Sequence, residues 1–329
     1  MKKIIAIVLC AVLAASALAG CGSASSSVSA VSASAENAKA VKVGLIQLVQ
    51  HTSLDEISDA IKAELAAKAT ENKITIDIDY QNAQGDMTTI NTICQQFVAN
   101  KVDLIIAIAT PAAQGAAAAV DGTDIPVIFS AVTDPVAAEL VASFDAPGGN
   151  ITGTSDAIPV ANIFDLAKEL TPEVKKFGFI YNTSEVNSVS VIAEAKAYLD
   201  AAGIDYTESA VTTSGDVQLA AQNLLGDCDA VFAPIDNTVA SAMSVLSDEA
   251  IKAGKPVYCA ADSMVADGGF ASVGVNYTNL GTQTADMAIK VLTGTAPADI
   301  PVEVLKEKNI VVNDETAAAL GIDVSKYAK

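Results

Sequence analysis

The apolar positions of the chain fall into two series of matching patterns. "VKVGLIQLV" (41–49) and "KFGFIYN" (176–182) are nearly unbroken apolar runs, and the lack of polar alternation predicts strands buried on both faces of a parallel sheet. Each leads into a stretch with helical spacing, "SLDEISDAIKAELAAKAT" in the first series and "NSVSVIAEAKAYLDAAG" in the second. Then "KITIDIDYQNAQGDMTTINTICQQFVANKVDLIIAIATP" and "GIDYTESAVTTSGDVQLAAQNLLGDCDAVFAPID" each read as strand, helix, strand. The last units, "AQGAAAAVDGTDIPVIFSAVTDP" and "ASAMSVLSDEAIKAGKPVYCAADSM", each hold a proline leading into a strand. Landmarks recur at a nearly constant offset. Gly44 and Gly178 lie 134 residues apart, Asp86 and Asp216 130, Asp103 and Asp229 126, and Pro126 and Pro256 130. Alternating strands and helices predict an α/β fold with doubly wound parallel sheets, and the duplication predicts two such lobes.

In open α/β sheets, ligands bind beyond the carboxyl ends of the strands, where helix N-termini offer unpaired N–H groups. Two lobes facing each other across that edge make a cleft that closes by hinge motion. The matching edges "DLIIAIATPAAQ" and "DAVFAPIDNTVA" would be its two walls, with Thr110 and Pro111 on one and Asp236 and Asn237 on the other.

Composition narrows the partners. The 329 residues are 51% hydrophobic and 18% charged, enough for two domains with cores. A net charge of −20 argues against nucleic acid or an anionic membrane surface as a partner. The chain has no Arg and no Trp. At the N-terminus, Lys2 and Lys3 precede an apolar stretch from Ile4 to about Leu18 and then "LAGC". The stretch is short for a spanning helix and is followed by small residues, so residues 1–20 read as a signal peptide. "LAGC" resembles a bacterial lipobox, which would make Cys21 the lipidated first residue of the mature chain, anchored at the outer face of the cell membrane. Residues 21–40, rich in Ser and Ala, read as a tether. Cys94, Cys228 and Cys259 show no metal or redox spacing. Each suits a small buried hydrophobe, and a disulfide between two of them stays open.

"GLIQLVQHTSLDEI", "DYQNAQGDM", "FSAVTDPV", "APGGNITGTSD", "FIYNTSEVNS", "PIDNTV" and "GVNYTNLGTQTADMAIKVLTG" carry a more specific signal. With the first wall segment they resemble, in order and from about Val41 onward, the bacterial ABC-transporter substrate-binding lipoproteins of the tryptophan/tyrosine type. The resemblance implies a type I periplasmic-binding-protein fold and capture of an aromatic or related amino acid for delivery to a membrane permease; a monomer is expected. It implies chain crossings between lobes, with residues 41–154 and 277–297 in the first and 155–276 and 298–329 in the second. The helix of "NLGTQTADMAIKVLTG" would then return to the first lobe.

An amino-acid zwitterion needs an acceptor for its ammonium and donors for its carboxylate. Without Arg there is no guanidinium fork. Thr110, Thr133, Asn182, Ser184 and Ser188 are the candidate carboxylate donors, with backbone N–H groups at helix starts. Asp134, Asp156, Glu185, Asp236 and Asp262 are the candidate acids, Asp236 being favoured for the ammonium. Gln47 and His51, just beyond the first strand, and Asn187, in the polar run after the second lobe's first strand, complete the set. Each of these polar residues at a strand-to-helix turn also suits an ordinary N-cap. His51 is the sole histidine, but the chain shows no G-x-S-x-G, H-E-x-x-H or Walker A motif, so no catalytic role, metal or cofactor is expected. A sugar, nucleoside or signal receptor on the same fold, or a secreted enzyme with carboxylate acid/base chemistry, remains as an alternative.

Overall fold

The computed structural model describes residues 39–306 and 309–327. The signal peptide, the lipidation site Cys21 and most of the tether lie outside them. Two six-stranded sheets form the two lobes.

The first sheet is built from β1 (Lys39–Gln47), β2 (Ile74–Asn82), β3 (Leu104–Ile108), β4 (Val127–Ser130), β5 (Ile151–Ser155) and β11 (Glu303–Val304), in the order β11-β5-β4-β3-β1-β2 and parallel throughout. The second holds β6 (Lys176–Asn182), β7 (Asp205–Val211), β8 (Ala230–Ala233), β9 (Val257–Cys259), β10 (Ala271–Gly274) and β12 (Asn309–Val312), in the order β12-β10-β9-β8-β6-β7. There β12 runs antiparallel to β10. In both lobes the order reverses beside the first strand, which places a crevice at the carboxyl ends of β1 and β3, and of β6 and β8. Strand β1 begins at Lys39, two residues inside the expected tether.

The helices that matter for the site follow the strands directly. They are α1 (Thr52–Glu71), α2 (Met87–Ala99) and α3 (Thr110–Val120) in the first lobe, and α4 (Val160–Leu170), α5 (Val186–Ala202), α6 (Val217–Leu225), α7 (Asn237–Ala240), α8 (Met243–Lys252) and α9 (Asp262–Ala266) in the second. The repeated Gly-Asp marks a helix start in both lobes, with different bonding. Asp86 caps α2 through the Thr89 amide at 2.7 Å, and Asp216 takes the Thr213 and Thr212 amides at 2.8 and 3.1 Å ahead of α6. The repeated strand glycines also match: a Cβ on Gly44 would stand 2.6 Å from the Phe97 ring, and one on Gly178 2.7 Å from Leu224. Each lets a helix side chain settle onto its sheet.

The chain crosses between lobes after β5, after β10 and after β11. The second crossing delivers α10 (Tyr277–Leu292) to the first lobe, against α1. A buried hydroxyl chain fixes it there: Thr284 Oγ1 lies 2.7 Å from Ser130 and 2.8 Å from Thr154, joining α10 to β4 and β5. The last crossing differs from the expected division at residue 298. Glu303 and Val304 pair with Thr154 and Ser155 of β5, so the segment through Val304 belongs to the first lobe. Its hold is local: Thr152 donates to the Ile300 carbonyl at 2.7 Å and the Val302 amide to Phe144 at 2.8 Å. A two-residue strand is too short to leave a periodic signal. Helix α11 (Asp314–Leu320) closes the second lobe. Cys94, Cys228 and Cys259 are buried free thiols, which resolves the open disulfide.

Candidate functional site

The C-terminal strand edges of the two lobes face one another across two spaces. The inner one is a narrow cavity of about 20 Å³. His51, Ser53, Leu54 and Ala131 line it from the first lobe, Asp156 and Tyr277 from the crossings, and Asn187, Asp236, Asn237 and Met264 from the second. The outer one is an open cleft of about 500 Å³, within the size range of small-ligand sites. Leu48, Val49, Met87, Pro111 and Gln114 form one wall, and Asn182, Ser184, Glu185, Thr212, Thr213 and Thr238 the other. Asn237 borders both spaces.

Asp156 is fully buried at the first crossing. It accepts from the Thr133 hydroxyl at 2.8 Å and from the Tyr277 hydroxyl at 3.2 Å. Burial raises its carboxyl above the usual range, against these two bonds. Asp236, expected to hold an ammonium, is more heavily committed. It caps α7 through the Val239 amide at 2.8 Å and takes the Asn182 amide at 2.6 Å and the Ser188 hydroxyl at 2.7 Å. Burial and then the nearby Glu185 charge raise it. Glu185 is itself saturated, accepting from the Asn237 amide at 3.0 Å, the Asn237 side chain at 2.6 Å, and the Thr238 amide and hydroxyl at 3.0 and 2.9 Å.

His51 reaches across the gap, its Nε2 3.2 Å from Asn237 Oδ1. Because the Asn237 amide nitrogen donates to Glu185, its oxygen must accept, which makes Nε2 the protonated nitrogen of His51. Burial lowers the imidazole below its usual range, against the Asn237 bond and the Glu185, Asp55 and Asp267 charges. His51 also precedes α1 without supplying a side-chain cap, and the positive end of this 20-residue helix lies at the inner cavity, which His51, Ser53 and Leu54 line.

Gln47, Thr110, Asp134 and Asp262 border neither space. Gln47 is spent on Asp55 at 2.7 Å, the Val49 carbonyl at 2.9 Å and the Tyr80 hydroxyl at 3.0 Å. Asp134 takes the Ala137 amide at 2.9 Å in a turn, and Asp262, the first residue of α9, takes the Ser263 amide at 2.8 Å; both bonds are local. Asn182 holds the Ser184 amide at 2.9 Å and Thr238 at 2.9 Å. Thr110 Oγ1 and Asn187 Oδ1 are buried polar atoms without a hydrogen-bond partner, and Asn187 lines the inner cavity. Ala109 and Ala131 end β3 and β4 at φ +81° and +55°, conformations that side chains seldom adopt, both at the cleft edge. Sequence reasoning missed Tyr277, Ser53 and Ala131. An aromatic directly after a lobe crossing was the one legible signal, in "GVNYTN".

Residues 42–328 match the family described as ABC transporter substrate binding protein. Over 334 aligned residues, all of this chain and 96% of the relative, the chain is 39% identical to a tyrosine-binding protein of Clostridioides difficile. It is 40% identical to the solved domain from Streptococcus pneumonia in complex with L-Trp, with a TM-score of 0.82 over 87% of this chain and 96% of that one. Against a ligand-free, open substrate-binding protein from Clostridium difficile, also 40% identical, the TM-score is 0.66 over 86% and 95%. Two parallel-sheet α/β lobes around a closable cleft define the type I periplasmic-binding-protein class. The chain belongs to the ABC transporter substrate-binding protein family. At equal identity it superposes better on the ligand complex than on the open form, in keeping with the contacts His51 makes across the gap.

Proposed function

We propose that this chain captures an aromatic L-amino acid outside the cytoplasm and presents it to an ABC permease. The observation that carries this reading is Asp156, a buried carboxylate facing the inter-lobe cavity whose two hydrogen-bond partners are neutral hydroxyls. A buried charge is retained only where it is paired, and a ligand ammonium supplies that pairing. The inner cavity, about 20 Å³ in this structure, admits the ligand's polar head only as the lobes part; the ligand carboxylate then meets the uncapped start of α1, and Asn187 Oδ1 offers a further acceptor to the ammonium. The side chain extends toward the outer cleft, where Leu48, Val49, Met87 and Pro111 form an apolar wall. The tyrosine and L-Trp specificities of the relatives support this class of ligand.

The test is a thermal-shift screen against amino acids, sugars and nucleosides. L-tyrosine, L-tryptophan or L-phenylalanine is expected to raise the melting temperature, since saturation at a hundred times Kd stabilises by about 2.7 kcal/mol. A shift with sugars or nucleosides alone would reject the reading.

Lipid attachment at Cys21 and retention at the membrane are part of the proposal. They rest on "LAGC" alone, and among the described residues no helix is long and apolar enough to cross a membrane. Expressed in bacteria, the chain is expected in the membrane fraction, released by detergent but not by high salt, with Cys21→Ala released freely.

A further inference from the structure

Three consecutive residues of the first lobe reach three different positions of the second. His51 bonds Asn237 at the start of α7, and the Thr52 hydroxyl donates to Asp267 Oδ1 at 3.0 Å at the end of α9. The Ser53 hydroxyl bonds that of Ser263, inside α9. The rigid start of α1 thus engages both cleft-facing helices of the other lobe at once.

We propose that the tripeptide His51-Thr52-Ser53 is a latch that biases the open–closed equilibrium toward the closed state. It supplies three hydrogen bonds between the lobes, which parting the lobes would break. Ligand affinity is lowered by whatever fraction of the protein is not competent to close, so the latch scales affinity for every ligand alike. The proposal rests on the amino-acid reading only for the choice of ligand.

Thr52 and Asp267 are the residues to vary, because neither borders the inner cavity or the outer cleft. Thr52→Val is expected to weaken L-tyrosine and L-tryptophan about three- to tenfold, the worth of one hydrogen bond to a carboxylate in a partly exposed place. The ratio between the two amino acids should stay fixed. Asp267→Ala, which removes the same bond from the other lobe, is expected to weaken both by a similar factor, and adding Thr52→Val to it should cost little more. Pulsed dipolar distances between spin labels on the two lobes, read on the free chain, should show the short-distance population falling in Thr52→Val and in Asp267→Ala. That arm needs no ligand, so it stands if the amino-acid reading fails. Unchanged populations in both variants would overturn the latch. So would a changed tyrosine-to-tryptophan ratio in Thr52→Val, which would make Thr52 a ligand contact.

Discussion

Asp156→Asn is expected to weaken L-tyrosine and L-tryptophan binding about a hundredfold, with the melting temperature of the free protein unchanged or raised. Removing one partner of a buried ion pair costs about 3 kcal/mol or more, because the other charge stays buried and unpaired. The carboxamide preserves the local geometry. Its oxygen accepts from Thr133, and its nitrogen donates to the Tyr277 oxygen, which can turn to accept. The free protein loses a buried carboxylate and gains a neutral group, so its fold is spared. Calorimetry of binding beside calorimetry of unfolding separates the two effects. A second readout tests the charge. Burial raises the Asp156 carboxyl, and a ligand ammonium would lower it again. Between those two values, binding expels a proton, and titration in buffers of different ionisation enthalpy will register it in the wild type but not in Asp156→Asn. Binding retained within about threefold would move the ammonium away from Asp156, and Asp236→Asn would become the informative variant.

Gly281→Val is expected to destabilise the protein by about 3 kcal/mol, lowering the melting temperature by about 6 °C or more. A Cβ on Gly281 would stand 2.6 Å from the Ile57 carbonyl oxygen and 2.8 Å from Ala60 Cβ. The obstacle is the backbone of α1, which cannot rotate aside. The two helices must separate, yet α10 is held to the sheet by the Thr284 hydroxyl chain and α1 by Leu54, Ile57, Ile61 and Leu65 in the core. Because Tyr277 and the His51–Ser53 segment begin these two helices, binding should weaken as well. Gly149→Ala is the control: a Cβ there meets nothing within 4 Å, and its melting temperature should not move.

The C. difficile and S. pneumonia relatives bear on the same cleft from outside. One is a tyrosine-binding protein and the other was solved in complex with L-Trp, and under the proposed reading Asp156 and the start of α1 would hold such a zwitterion without an arginine, which this chain lacks.

The two-lobed architecture was legible in the sequence because it rests on local rules. Buried parallel strands read as unbroken apolar runs, Gly-Asp marks a helix start in both halves, and Gly44 and Gly178 recur where a helix side chain meets the central strand. Polar residues at the strand ends were legible as a group, and Asp156, Asn187, Asp236, Asn237 and His51 do converge on the inner cavity. Their individual duties were not, because a cap and a ligand contact need the same residue types at the same turn. Asp236, Asp134 and Asp262 proved to be spent on neighbouring amides, whereas Asp156 is held by hydroxyls from a loop and a helix far away in the chain. Tyr277, the α1 latch and the return of Glu303–Val304 to the first sheet likewise depend on where distant segments meet. Residue order determines which elements form and which edge is polar; only the folded chain decides which of those polar atoms already have partners and which face the gap unpaired.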